Sequence, residues 1–401
     1  MIRMKNLKIY LICTALALGT SSFASVMLGP AVKMLFLLVG IVALLVNDPV
    51  IRLEFRSNIR SKNMSLMIMF LIVMAILGVI TGGNPVPVIL DFMASFFFFF
   101  FFFYKSKTEE SANILAKYIE VFFICITLFE LYEILSGTTW VVDEDEERLS
   151  TLVVCPFFLA MIYLNKGKTA LSLLFFAILC YGTIRSIFRI NLLFIVLYII
   201  FFLYSLFRNK SLKVYQKVFF TLVFAAGITY SIPLITAYFE NDIVASTHLV
   251  MRTERLFDSS YNQEEVRKNT NSIIIERFED FILPQGIGWS NHTKKIMSKY
   301  TQFGVYSTMD SNLLYCCYHY GIIIGLYIII LIFLRSILML LNSAKHLGDS
   351  NAFLALCLVL AVVSMFTVKS WIFVHSSYGL TYGLIFAFTN NLKRFSSYNS
   401  I

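Results

Sequence analysis

Two arginines stand four residues apart between apolar segments, and their type and spacing suit the binding of phosphate. Arg185 and Arg189 lie in the sequence YGTIRSIFRINLL, where one helical turn would place both on the same face. The planar guanidinium group binds phosphate through two parallel hydrogen bonds, which are strong where water is scarce. Charged residues in membrane segments are costly, so Arg185 is a functional candidate. Arg189 fits that role and the role of a boundary arginine reaching lipid headgroups equally well.

An acid and an imidazole open a later apolar run, YSTMDSNLLYCCYHYGIIIGLYIIILIFL, which extends from Tyr306 to Leu334. Asp310 stands at its head, where it either belongs to a chemical site or caps the first turn of a helix. His319 follows about two and a half helical turns deeper, on a nearly opposite side, so we expect a buried histidine with a hydrogen-bond partner. No spacing of histidine, cysteine and carboxylate predicts a metal site.

Composition places these residues in an integral membrane protein. The chain has 401 residues, of which 58% are hydrophobic and 14% charged, and its mean hydropathy is +0.77. Soluble domains have about a quarter charged residues. The net charge of +9 is typical of cytoplasmic loops in such a protein and does not indicate nucleic acid. The chain lacks the glycine-rich cofactor motifs, and its seven cysteines lie in apolar runs typical of buried, unpaired thiols.

The apolar runs predict an all-α polytopic fold with about twelve membrane spans. Nine spans fall in residues 1–238, a long hydrophilic loop takes 239–310, and three spans with the C-terminus take 311–401. The first run follows a basic start like that of a secretory signal, but the number of later runs favours a retained helix. The predicted spans lie near 7–28, 32–50, 64–81, 86–104, 114–135, 149–164, 169–184, 187–207, 216–238, 311–334, 351–368 and 371–390.

Lysine and arginine concentrate at alternate ends of these predicted spans, which sets their orientation. Basic residues favour the cytoplasmic side of a membrane protein, so both termini are expected in the cytoplasm. The long loop 239–310 and the acidic run DEDEE at 143–147 then lie on the external side. Long loops are exempt from the charge rule, so the basic residues in 239–310 do not contradict this orientation.

One span carries eight consecutive phenylalanines, Phe96 to Phe103, and we interpret it as a lipid-facing helix of biased composition. Asp91 precedes this run near the external end of the same span. The simplest interpretation of Asp91 is an acid at the loop edge that extends into the aqueous interface. A role for Asp91 in a site is the less favoured alternative.

The long loop contains an amphipathic pattern in NSIIIERFEDFILPQGIGW, from Asn271 to Trp289. Apolar residues recur on one helical face, and acidic residues take the other. Pro284, Gly286 and Gly288 then predict the end of the helix and a turn. Such a helix either lies on the membrane and caps a cavity or packs on its neighbours, and the two roles are compatible. The apolar face consists of Ile274, Ile275, Phe278, Phe281 and Ile282, and the acidic face of Glu276, Glu279 and Asp280.

Together these features resemble the superfamily of O-antigen polymerases (Wzy) and O-antigen ligases (WaaL). The order is Arg185 at the external end of a middle span, spaced arginines in a long external loop, GIG at Gly286 to Gly288, and DSNLLYCCYHYGIIIG from Asp310 to Gly325. The resemblance covers the second half of the chain in its motifs and the first half only in hydropathy. The arginines of the loop that carry it are Arg252, Arg255 and Arg277.

The resemblance implies a glycosyltransferase of the bacterial inner membrane that needs neither metal nor cofactor. Its substrates would be undecaprenyl-pyrophosphate-linked oligosaccharides, joined on the periplasmic side, with a chain-length regulator as a further partner. Arg185 and Arg277 would stabilise the pyrophosphate leaving group, and Asp310 would act as general base. Arg189, Arg252, Arg255 and His319 would bind substrate.

Two other functions remain open at this stage. A ligase would transfer finished polymer to lipid A core, but ligases resemble HNxxL at the head of the span, where this chain has Asp310; this difference favours a polymerase. A flippase for the lipid-linked unit would also have about twelve spans. Transporters typically contain an internal repeat, however, and the sequence shows none.

Overall fold

Every regular element of the described part of the protein is an α-helix. The structure is a computed structural model of the 401-residue chain. No strand occurs among the described residues, which agrees with the predicted all-α class. The described residues are 2–21, 30–81, 85–135, 151–185, 191–208, 278–288, 312–346, 349–368, 373 and 376–392.

The helices follow the apolar runs of the sequence in chain order. In that order they are α1 (Ile2–Thr20), α2 (Pro30–Asn47), α3 (Pro49–Ile59), α4 (Lys62–Ile80), α5 (Pro85–Phe103), α6 (Glu109–Leu135), α7 (Thr151–Asn165), α8 (Thr169–Arg185), α9 (Asn191–Arg208), α10 (Phe278–Ile282), α11 (Asn312–Tyr320), α12 (Ile322–Ala344), α13 (Ser350–Val368) and α14 (Ser376–Asn391).

Three of the described helices, α4, α5 and α12, are long and apolar enough to cross a membrane. The bent pair of α2 and α3 makes a fourth if it is counted as one span, and several shorter apolar helices accompany them. These helices support a helical membrane protein. The count of twelve spans stays a prediction, as does the external position of the loop 239–310, most of which lies outside the described residues.

The phenylalanine run of α5 lies in the protein core. Phe97, Phe98, Phe99, Phe100 and Phe102 are buried, and Phe98 and Phe102 both contact the ring of Phe386 on α14. Gly383 of α14 lets the two helices approach closely, because a Cβ there would lie 2.9 Å from the carbonyl oxygen of Phe97. The prediction of a lipid-facing run was wrong: its aromatic rings fill the space between α5 and α14.

Helix α3 begins abruptly after α2 and leaves it at an angle of 109°. Asp48 caps α3 by accepting hydrogen bonds from the backbone nitrogens of Val50 and Ile51, and Pro49 occupies its first position. Glu54 faces inward and accepts hydrogen bonds of 2.8 Å from the Lys107 nitrogen and the Ser111 hydroxyl. A segment that hydropathy assigned to a loop is therefore a helix fixed to the start of α6.

The predicted span 311–334 is broken at Gly321. This glycine has φ 77° and ψ 151°, a conformation that side chains disfavour, and it separates α11 from α12. Gly325 of α12 approaches the backbone of Cys316 so closely that a Cβ would overlap it. Residues five before and four after the break could not meet in a straight helix, so α11 folds back along α12. The prediction of one continuous span was wrong here.

Candidate functional site

The described part of the candidate site consists of the segments that directly follow two of its predicted catalytic residues. Helix α10 begins one residue after Arg277, and α11 begins two residues after Asp310. Arg185 is the last residue of α8, where its backbone alone is described. Asp310, Arg277, Arg189, Arg252 and Arg255 lie outside the described residues, so the structure does not test the roles predicted for them.

Residues 278–288 and α11 form one packed unit, which we call the re-entrant unit. The backbone nitrogens of Gln285 and Gly286 donate hydrogen bonds to the carbonyl oxygens of Tyr318 and His319, at 3.3 and 3.1 Å. The rings of Phe281 and Tyr318 lie 5.6 Å apart, edge to face. The segments that begin just after Arg277 and Asp310 therefore hold each other in place, although about thirty residues separate α10 from α11 along the chain.

His319 is buried inside the re-entrant unit, with 2% of its surface exposed. Its Nδ1 lies 2.5 Å from the carbonyl oxygen of Gly286. A carbonyl oxygen only accepts hydrogen bonds, so Nδ1 carries the proton in this arrangement. The ring also packs against Tyr315, with centroids 4.2 Å apart. The expectation of a partnered, buried histidine is confirmed, and a contact of His319 with substrate stays a prediction.

Asp91 of α5 lies directly beneath the unit. It is 2% exposed, and its Oδ2 accepts hydrogen bonds from the Gly288 nitrogen at 3.2 Å and the Tyr315 hydroxyl at 2.9 Å. The interpretation of Asp91 as a loop-edge acid was wrong, because residues some 200 positions later cover it and supply its donors. An acid within an apolar membrane segment is by default a functional candidate. This feature of the sequence was a better guide to Asp91 than its position near a helix end.

A second polar contact lies one turn further along the same face of α5. The hydroxyls of Ser95 and Tyr320 are 3.0 Å apart, and both residues are buried. Ser95 stands four residues after Asp91, so the two side chains share a face of α5 and each holds one tyrosine of α11. Buried hydroxyls cost free energy unless they are hydrogen-bonded, so these two contacts fix the rotation and depth of α11.

The loop after α10 docks on α4 through its backbone. The Ile287 nitrogen donates to the Met74 carbonyl oxygen at 3.1 Å, and the Thr81 hydroxyl donates to the Gln285 carbonyl oxygen at 3.0 Å. Gly78 of α4 permits this approach, because a Cβ there would overlap the carbonyl oxygen of Ile287. The turn predicted at Pro284 to Gly288 is confirmed, with φ of 80° at Gly286 and 96° at Gly288.

The amphipathic helix of the loop is described only over α10, and its predicted apolar face is only partly covered by protein. Phe281 is buried against α11, whereas Phe278 and Ile282 are 50% and 46% exposed. Glu279 is exposed, as the pattern predicts. Exposed apolar side chains beside a packed one suit a short helix at the protein surface.

The described unit can hold neighbouring residues in position. It provides a hydrogen-bonded framework made from α4, α5, α10 and α11, and in the chain α10 and α11 closely follow two loop residues predicted to be catalytic. Among the described residues, no group of three or more histidines, cysteines or acids is arranged to hold a metal ion. All seven cysteines, which fall within the described ranges, are free, as their apolar surroundings predict.

Comparison with known proteins adds no relative: no family model matches the chain, and neither the curated proteins nor the solved structures contain a match.

Proposed function

We propose that the protein polymerises undecaprenyl-pyrophosphate-linked oligosaccharide repeat units into O-antigen or capsular polysaccharide at the periplasmic face of the inner membrane. The observation that carries the proposal is the packing of Gln285 and Gly286 on Tyr318 and His319. This packing joins two segments that are distant in the chain, and these segments begin one residue after Arg277 and two residues after Asp310. The order of motifs in the sequence supplies the substrate class.

The proposed reaction transfers a growing chain from its lipid carrier to a new repeat unit. A hydroxyl oxygen at the non-reducing end of the acceptor unit attacks the anomeric carbon of the donor chain. The bond between that carbon and the phosphate oxygen breaks, its electron pair stays with undecaprenyl pyrophosphate, and Asp310 takes the hydroxyl proton. Arg185 and Arg277 stabilise the negative charge that develops on the pyrophosphate. Arg189, Arg252, Arg255 and His319 form the substrate-binding set of the proposal.

The buried contacts of the re-entrant unit support this assignment by physical reasoning. Catalytic groups must be held within about 0.5 Å of their productive geometry, which a long loop cannot achieve alone. Asp91 and Tyr315 anchor the segments next to the predicted catalytic residues and touch no reacting atom in the proposal. They are positioning residues. A chain-length regulator would act on the same polymerase from outside this unit.

The experiment that tests the proposal is deletion of the gene, followed by gel analysis of lipopolysaccharide. Loss of a polymerase leaves lipid A core carrying a single repeat unit, because flipping and ligation continue. A bare core would contradict the proposal and indicate a ligase or a flippase. Restoring the intact gene on a plasmid must restore the ladder of long chains, which links the effect to this protein.

A further inference from the structure

Helix α3 presents a row of three arginines away from the protein. Arg52, Arg56 and Arg60, the last of them directly after the helix, recur at every fourth position and are exposed, whereas Glu54 on the opposite side and Ile51 next to Arg52 are buried. Among the described residues, no carboxylate lies within ion-pair distance of these arginines. Three further exposed cations lie in segments that adjoin α3, namely Lys62, Lys105 and Lys107.

The acids close to this row leave its positive charge largely uncompensated. Glu54 faces inward, with Oε1 bonded to the Lys107 nitrogen and the Ser111 hydroxyl. Asp48 is buried and caps the start of α3. Glu109 and Glu110 are exposed at the start of α6, where they suit the positive end of that helix. On α3 and the segments that adjoin it, six cations are therefore exposed against two exposed acids.

The direction of α3 places this row along a membrane surface. The 109° bend between α2 and α3 means that α3 runs nearly parallel to the surface if α2 crosses the bilayer. Leu53, beside Arg52, leaves 64% of its surface uncovered by protein. An apolar residue between exposed arginines is typical of a helix at the boundary between headgroups and acyl chains.

A wholly apolar cavity of about 120 Å³ lies next to the same helix. Ile51 and Phe55 of α3 form part of its wall, one position around the helix from Arg52 and Arg56. Apolar cavities of about 150 Å³ stay dry and take up apolar molecules, so this space suits a segment of hydrocarbon chain. The rest of the wall comes from α1, α2, α5, α6 and α14, including Leu16, Leu45, Tyr104, Leu115 and Leu384.

We propose that α3 and this cavity together bind an anionic phospholipid of the membrane. The phosphate of the headgroup lies against Arg52, Arg56 and Arg60, and part of one acyl chain enters the cavity beside Ile51 and Phe55. The site does not depend on the proposed glycosyltransferase activity. Helix α3 is not part of the re-entrant unit, and the residues of that unit contact α4, α5 and α12.

Two features favour an anionic phospholipid over other phosphate ligands. A free phosphate ion would use the arginines but leave the apolar cavity without a role. A zwitterionic phospholipid carries a cationic group that opposes the uncompensated arginines, whereas an anionic headgroup gains attraction from each of them. Guanidinium groups also form paired hydrogen bonds with phosphate oxygens, which a lysine row would not do as well.

The test uses the purified, delipidated full-length protein in a non-ionic detergent. Dioleoyl phosphatidylglycerol and dioleoyl phosphatidylcholine are titrated separately, and bound lipid is counted by native mass spectrometry. We expect phosphatidylglycerol to bind about tenfold more tightly than phosphatidylcholine, since each arginine near the headgroup adds to the attraction. The triple variant R52Q/R56Q/R60Q is expected to lose this preference.

A matched control variant removes three exposed cations elsewhere, K168Q/R208Q/K345Q, so that both triple variants have the same net charge. The control is expected to bind phosphatidylglycerol as the natural protein does. Leu384→Phe on α14 and, separately, Leu45→Phe on α2 fill the cavity, and each is expected to weaken dioleoyl phosphatidylglycerol binding several-fold. Two filling variants keep the test valid if one of them fails to fold.

Four results would overturn the proposal. Equal binding of the two lipids would remove the role of headgroup charge, and equal losses in the two triple variants would remove the role of this arginine row. Binding of glycerophosphoglycerol, the headgroup without chains, as tightly as the whole lipid would exclude the cavity. Tight binding of undecaprenyl phosphate without binding of phosphatidylglycerol would assign the site to the lipid carrier instead.

Discussion

The Asp91 carboxylate accepts a hydrogen bond of 2.9 Å from the hydroxyl of Tyr315, a residue 224 positions later in the chain. The same oxygen, Oδ2, accepts the Gly288 nitrogen at 3.2 Å. One buried atom of α5 thus joins the turn after α10 to the short helix α11. Both segments border predicted catalytic residues in the sequence.

Replacing Asp91 by leucine is expected to destabilise the protein strongly. The change leaves the Gly288 nitrogen and the Tyr315 hydroxyl buried without an acceptor, at about 1–3 kcal/mol each. Asp91→Asn keeps an oxygen that can accept both bonds, so its effect should be smaller. Thermal unfolding in detergent should therefore rank Asp91→Leu well below Asp91→Asn, with Tyr315→Phe close to Asp91→Asn. An Asp91→Leu variant as stable as the natural protein would contradict the anchoring role.

Gly321→Ala is expected to destabilise the break between α11 and α12 through both strain and crowding. Its φ of 77° and ψ of 151° lie in a region that is essentially restricted to glycine and costs other residues about 1–3 kcal/mol. An added Cβ would also lie 3.1 Å from the Pro284 nitrogen and 3.2 Å from the Ile282 carbonyl oxygen. Gly167→Ala is the control for a positive φ without crowding, since Gly167 has φ 69° and an added Cβ would meet no atom within 4 Å. Equal melting temperatures for the two variants would show that the contact with the turn adds nothing.

Gly78→Ala is expected to displace the turn from α4. Alanine stabilises a helix by about 1 kcal/mol relative to glycine. The variant would therefore be more stable than the natural protein if helix propensity in α4 were the only effect. The new Cβ would instead overlap the Ile287 carbonyl oxygen and strain the hydrogen bond from Ile287 to Met74. Hydrogen exchange measured on peptides that cover residues 283–288 should become faster. Unchanged exchange together with higher stability would contradict the close packing of turn and helix.

The arginine roles are tested by Arg185→Ala and, separately, Arg277→Ala in the gene-deletion strain. Each variant is expected to remain in the membrane and to abolish long-chain polymer, because the pyrophosphate leaving group loses a stabilising cation. Arg208→Ala is the matched control: this exposed arginine at the end of α9 bonds only Tyr204 in the described structure. An unchanged chain-length distribution in both test variants, measured on lipopolysaccharide gels, would reject the arginine mechanism.

Asp310→Asn separates catalysis from helix capping. Asparagine caps helices about as well as aspartate, but it accepts no proton from an acceptor hydroxyl. We expect the variant to accumulate at the natural level in the membrane and to make little or no polymer. Full polymer formation by Asp310→Asn would leave Asp310 as a cap for α11 and require another base, while loss of the protein from the membrane would indicate a structural role.

Several features follow directly from local sequence. Long apolar runs place α4 and α5 correctly, because burying twenty apolar residues in a hydrogen-bonded helix depends little on the neighbours. The turn at Pro284 to Gly288 follows from proline and glycine, whose backbone preferences are intrinsic. The burial of His319 was also predictable, since an imidazole within an apolar run needs a partner wherever the run packs.

Other features depended on contacts between distant segments. Hydropathy is continuous across Gly321, so it does not distinguish one span from a short helix folded back on a longer one. Lipid and protein interior are equally apolar, which is why the phenylalanine run gave no indication that it faces α14. Asp91 has no donor in its own segment; its partners, Gly288 and Tyr315, reach it only when the turn and α11 pack onto α5. The sequence by itself determined which segments leave water. The tertiary structure decided what each buried side faces, because that choice is made by the shape and hydrogen bonding of segments far apart in the chain.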